Sequence, residues 1–213
     1  MTKIVLLGIS LATALIFAIA FPVVAEAITP IKKTEVKATS DEIRKLRFQL
    51  AGLVEKQPFG GYAILTDAGT AIGITSHAGF YDSEVQGATS PSAPIIDFPG
   101  PAALCSSLEG CGAEYHVHVV IPVADARCAI AKVGELTWDD PSNRLIVAGT
   151  NLIAQGIPLG VNQYTAALAG GLLDFDAGTT PGTSGLAFDL TPIFLTPGDP
   201  TTLDAVCIGP LAP

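Results

Sequence analysis

Two of the chain's three histidines are separated by a single residue, in Glu114-Tyr115-His116-Val117-His118-Val119-Val120-Ile121, a run that alternates as a β-strand does. Side chains on a strand change face at every residue, so His116 and His118 share one face while Tyr115, Val117, Val119, Ile121 and Val123 take the other. The second face reads as core. The first presents two imidazoles whose Cβ atoms lie about 7 Å apart, near enough for both rings to reach one ion. Neutral imidazole is a ligand for zinc, copper or nickel. The third histidine, His77, ends another apolar stretch, Ala71-Ile72-Gly73-Ile74-Thr75-Ser76. A fold that joined the two stretches would build a mononuclear site from His77, His116 and His118 with one coordination position open. Asp82 and Glu84, just beyond, would complete the coordination or orient a ring. The competing reading is a polar, solvated strand face, with His77 capping a strand end.

Two other copper chemistries are excluded by counting. His116-Val117-His118 resembles a strand motif of copper/zinc superoxide dismutases, but that dinuclear site needs more histidines than the three present. A blue-copper site needs two histidines, a cysteine and usually a methionine, and the only methionine here is Met1. A hydrolase reading comes from different residues. Gly182-Thr183-Ser184-Gly185 resembles the nucleophile segment of trypsin-like proteases, Thr75-Ser76-His77 resembles the histidine segment, and Asp125 lies between them in the matching order. Ser184 would then lose its proton to His77 while Asp125 held the imidazole. The plainer account of Ser184 is a turn feeding the strand Leu186 to Leu190.

The elements that must position these residues are short strands. The chain has 213 residues with Gly 22 and Pro 16, scattered among runs rich in Val, Ile, Thr and Phe. Strands are predicted at Tyr62 to Thr66, Thr70 to Ser76, Tyr115 to Val123, Cys128 to Val133, Arg144 to Ala148, Leu186 to Leu190 and Thr202 to Ile208, with weaker ones near Ile95 and Leu172. Turns are predicted at Asp67-Ala68-Gly69, Asp139 to Asn143 and Pro197 to Pro200. One helix is predicted ahead of them. Thr39 with Glu42 three residues on resembles a capping box, and Ile43, Leu46, Leu50 and Leu53 recur at helical spacing. The fold class expected is therefore all-β, an antiparallel β-sandwich preceded by one N-terminal amphipathic helix.

Charge and hydropathy divide the chain into three segments. Residues 1–27 read as a signal peptide or membrane anchor: Ile4 to Ala25 holds no charged residue after Lys3, and Ala25-Glu26-Ala27 has the small-x-small form of a cleavage site. The stretch is also long enough to stay in a bilayer. Residues 28–58 form a basic linker with the predicted helix, and 59–213 form an acidic domain whose three cations, Arg127, Lys132 and Arg144, face fifteen carboxylates. An acidic body argues against a nucleic-acid partner. The basic segment suits an acidic neighbour or lipid head groups, or simply a solvated surface.

Both readings of residues 1–27 place the remainder outside the membrane, at the cell surface or beyond. The four cysteines, Cys105, Cys111, Cys128 and Cys207, agree with that placement, since an even number in an exported chain usually means disulfides. Three pairings are open, among them Cys105 with Cys111 and Cys128 with Cys207. No Cys-x-x-Cys pair points to zinc in place of disulfides.

Ser76-His77-Ala78-Gly79 with Asp82 to Gln86, the His-x-His strand, Phe188-Asp189-Leu190-Thr191-Pro192 and the closing Leu203 to Ile208 together resemble small exported proteins of ammonia-oxidising archaea. The chain departs from that pattern in having Tyr115 where a tryptophan commonly precedes the histidine pair. The resemblance implies an archaeal cell-surface setting and no particular activity. Three functions follow as expectations: a metal-binding exported protein using copper or zinc, a structural or adhesive surface protein that self-associates or meets a surface partner, and, third, an enzyme.

Overall fold

Alternating runs bounded by glycine, proline and aspartate become strands almost throughout the computed structural model, which describes residues 28–54, 60–76, 115–195 and 203–210. Residues 1–27, His77, Asp82, Glu84, Cys105, Cys111, the strand expected near Ile95 and the turn expected at Pro197 to Pro200 lie outside them. Among the described residues there are thirteen strands and no helix: β1 (Ile31–Ala38), β2 (Glu42–Leu50), β3 (Gly60–Thr66), β4 (Ala71–Ser76), β5 (His116–Val123), β6 (Ala131–Leu136), β7 (Arg144–Ala148), β8 (Asn151–Gln155), β9 (Ile157–Pro158), β10 (Val161–Thr165), β11 (Leu172–Asp176), β12 (Pro181–Phe194) and β13 (Leu203–Pro210). The all-β, antiparallel class expected from sequence is the one observed.

The arrangement of the sheets differs from the sandwich expected. Six strands close on themselves as a barrel in the order β12, β13, β6, β5, β4, β3. β1, β2, β8 and β7 make a second sheet, extended by β9 against β2, and β10 pairs with β11 as a hairpin. Ile43, Leu46 and Phe48 of β2, with Leu152 and Ala154 of β8, share one core with Tyr62 and Ile64 of β3, Ile72 and Ile74 of β4, and Val117 and Val119 of β5. The second sheet therefore packs on the outside of the barrel wall. Each of the Val, Leu, Ile and Phe side chains among them contributes roughly 1.5–3 kcal/mol by leaving water. The opposite face of the same strands looks into the barrel.

The helix expected over Ile43, Leu46 and Leu50 is corrected: these residues belong to β2. Leu46, Phe48 and Leu50 are buried at period two, and a shift of register between Lys37 and Ala38 of β1 brings Ile43 onto the same side. Phe48 has no place on the helical stripe and completes the strand one. Thr39, read as a cap, closes a hairpin instead: its N–H donates to the Glu42 carbonyl at 2.8 Å and its hydroxyl donates to Asp41 Oδ1 at 2.7 Å. Leu53, the last residue of the supposed stripe, is exposed.

β5 obeys the expected alternation as far as Ile121. Beyond it the β5–β6 register shifts between Ile121 and Pro122, and Val123 is exposed rather than core. Gly134 is the residue passed over on β6; a Cβ there would lie 2.3 Å from Val123 Cγ2. Proline and a bulge thus end the pattern that sequence alternation alone would continue.

Candidate functional site: a histidine pair in the barrel wall

His116 and His118 lie on one face of β5, as alternation requires, but that face is the barrel interior and not a solvated surface. Both are buried, at 7% and 5% exposure. Across the β4–β5 ladder His118 stands opposite Gly73 and His116 opposite Thr75. Gly73 brings no side chain of its own to the space beside the imidazole. The two rings meet edge to face, with centroids 4.6 Å apart and planes at 87°.

The β5–β6 ladder covers Val120 to Val123 only, so the backbone of β5 at the histidines needs other partners. Val117 N–H donates to Asp140 Oδ2 at 3.1 Å, and Val119 N–H donates to Thr137 Oγ1 at 3.3 Å. Thr137 N–H returns a bond to the Val119 carbonyl at 3.1 Å. Thr137 is itself fully buried and bridges to Ala166, between the barrel and the β10–β11 hairpin. Its carbonyl is therefore fixed, and it accepts a hydrogen bond from His118 Nδ1 at 2.6 Å.

That bond decides the tautomer. A carbonyl only accepts, so Nδ1 carries the proton and the lone pair of the neutral ring sits on Nε2. Burial pushes the His118 pKa well down, and the neighbouring His116 pushes it further, against the opposing pull of the Thr137 carbonyl. A neutral imidazole with Nδ1–H held by a backbone carbonyl is the usual state of a histidine that ligates through Nε2. Two imidazoles on one tetrahedral ion, with metal–nitrogen bonds near 2.0–2.1 Å, place their ring centres about 5 Å apart. The observed 4.6 Å is slightly shorter than that figure and is also the spacing of an ordinary edge-to-face ring contact.

Among the described residues, no group of three or more His, Cys, Asp or Glu side chains converges on a point where a metal would sit. The third ligand expected from sequence, His77, follows Ser76 at the end of β4. Of the hydrolase residues, Ser184 is exposed on β12. The Asp125 carboxylate receives the backbone N–H, Nε and Nη2 of Arg127 at 2.8–3.0 Å and is held below the usual carboxylate range by them. Gly182 and Gly185 have packing reasons to be glycine: a Cβ on the first would lie 2.7 Å from the Leu65 carbonyl oxygen, and on the second 2.3 Å from Thr34 Oγ1.

Cys128 and Cys207 form a disulfide with Cα atoms 5.1 Å apart. Three residues shape the histidine pair in roles other than those their sequence context suggests. Thr137 and Asp140, the latter in the turn expected at Asp139 to Asn143, act from the far side of a strand junction and give no local signal of it. Thr75 carried a visible signal, the period-two series Ala71, Gly73, Thr75, which marks a strand face kept small. Comparison with known protein families, characterised proteins and solved structures gives no match for this chain.

Proposed function

We propose that the chain is an exported, non-catalytic binding protein that takes one transition-metal ion, copper or zinc, through His116 and His118. One observation carries the reading: His118 is held neutral, with its Nδ1 proton committed to the Thr137 carbonyl and its ring 4.6 Å from that of His116. A pair of imidazoles is a donor set suited to either ion. His77 is the third ligand in this reading. Thr75, two residues before it, is the cross-strand partner of His116. Export rests on the apolar residues 4–25, and the Cys128–Cys207 disulfide is compatible with an oxidising compartment.

Metal content of the full chain, measured after equilibration with Zn²⁺ or Cu²⁺ and removal of excess, tests the proposal. One ion per chain is expected, falling to none in the His116→Ala, His118→Ala double variant. A stoichiometric ion retained by the double variant, or a wild-type chain that takes up neither metal, would overturn it.

A further inference from the structure

We propose that the barrel lumen binds a small, uncharged, mainly apolar molecule carrying one hydrogen-bonding group, seated with that group at Thr75. A narrow barrel is ordinarily filled by its own side chains. This one leaves a space of about 300 Å³, open at one rim, at the lower end of the range of ligand pockets. The space arises where β3 and β4 present Ala63, Ala71 and Gly73 to the lumen. Gly73 is not required by its backbone: a Cβ there would meet Thr75 Cγ2 at 3.2 Å and Ala63 Cβ at 3.9 Å, contacts that a small side-chain shift absorbs. The glycine leaves room without serving a turn.

The ligand's chemistry follows from the lining. Val120, Val133, Leu136, Phe188, Leu190 and Ile208 supply apolar walls, and no lining residue carries a formal charge. An organic ion would be desolvated there without a counter-charge; only a metal ion held directly by imidazole, as proposed at His118, which lines the same space, escapes that cost. Thr75 lines the cavity at 4% exposure, and its hydroxyl is buried with no hydrogen-bond partner among the described residues. Buried hydroxyls are rarely left so. A ligand hydroxyl or carbonyl would satisfy it. At the rim, Leu65, Ile130 and Leu186 are apolar and 47–58% exposed, an entrance suited to a lipophile.

The test uses the full chain in EDTA, so that it does not depend on metal binding at the histidines. N-phenyl-1-naphthylamine, a neutral fluorescent lipophile, is titrated in, then displaced by 1-hexanol, n-hexane or hexanoate, with Gly73→Leu as the background. Saturable binding to the wild type and none to Gly73→Leu is expected, with 1-hexanol displacing the probe better than hexane and hexanoate failing. Thr75→Val, which keeps the shape, should retain the probe but lower the advantage of hexanol over hexane by roughly five- to tenfold, the worth of one hydrogen bond. Wild-type binding no greater than background, hexanoate equal to hexanol, or an unchanged hexanol preference in Thr75→Val would each overturn the proposal. Should Gly73→Leu fail to fold, by far-UV circular dichroism, the Thr75→Val comparison decides alone.

Discussion

At the scale of single residues, His118 faces two demands that agree: burial excludes the imidazolium, and the Thr137 carbonyl claims the one ring proton of the neutral form. The consequence for stability has a definite sign. Because the folded chain holds His118 below its ordinary value of 6.5, the unfolded chain takes up the proton first as the pH falls. The contribution is complete above about pH 6.5 and is lost below it at up to ~1.4 kcal/mol per pH unit, the slope of one proton. The two carboxylates Asp67 and Glu35 lie below this window. Asp67 is pushed down to about 2 by the Thr180 N–H and the hydroxyl and N–H of Thr179, and Glu35 is lowered by Lys45, so both titrate in more acid solution. Urea unfolding in EDTA at pH 7.5, 6.5 and 5.5 should show stability falling for the wild type and a flatter profile for His118→Gln; parallel profiles would refute the assignment. Period-two spacing made the pairing of His116 with His118 legible in the sequence. Their burial was not, because Gly73 and Thr137 arrive from strands whose neighbours no local pattern reveals.

At the scale of elements, the β1–β2 hairpin shows how one composition serves two readings. Ile43, Leu46 and Leu50 fit a helical stripe, and the charged residues between them fit its wet face. In the strand, those charges stand across from one another: Lys45 Nζ lies 3.1 Å from Glu35 Oε1, and Arg47 lies 3.7 Å from Glu35 Oε2. Cross-strand pairing and the partner β8 decide between the two, and neither is local. The weakest seam of the barrel is β6–β13, where only Cys207↔Lys132 and Ile208↔Ala131 are in register. The disulfide closes that seam, and beside it Arg127 joins Asp125 to Asp204. With the cysteines 79 positions apart in sequence, loss of the bridge in Cys128→Ser, Cys207→Ser should cost about 4 kcal/mol. A loss under 1 kcal/mol in urea unfolding would show that the seam holds without it. Glu135 ties the same barrel edge to the loop after β10: it is buried and accepts N–H bonds from Leu168 and Ala169 at 2.7 and 2.9 Å. Glu135→Ala strands both donors, and a destabilisation of about 2–4 kcal/mol is expected from the same measurement. An unchanged midpoint would mean that water replaces the carboxylate there.

At the scale of the whole molecule, the basic and acidic parts distinguished by charge are joined by a shared core. Ile43, Leu46 and Phe48, from the basic stretch, are fully buried against the outer wall of a barrel built from the acidic one. Barrel closure was not legible in the sequence, since β3 pairs with β12 across more than a hundred residues and no short-range signal specifies that contact. What the sequence did display, Gly182-Thr183-Ser184-Gly185, has the look of a catalytic turn because close packing and nucleophile turns both demand glycine. Here Gly185 lies where the second sheet comes closest to the barrel: a Cβ would fall 2.3 Å from Thr34 Oγ1 and 2.9 Å from both Ile31 Cδ1 and Phe48 Cε1. Gly185→Ala should therefore wedge β1 and β2 from the wall, at about 1–3 kcal/mol. Removing the nearest obstacle should relieve it, so that Thr34→Ala with Gly185→Ala recovers more than half of the single variant's loss in a double-mutant cycle. Strict additivity in that cycle would place the strain elsewhere in β12. Recovery would show that this glycine sets the distance between sheet and barrel, a packing role that needs no chemistry from Ser184.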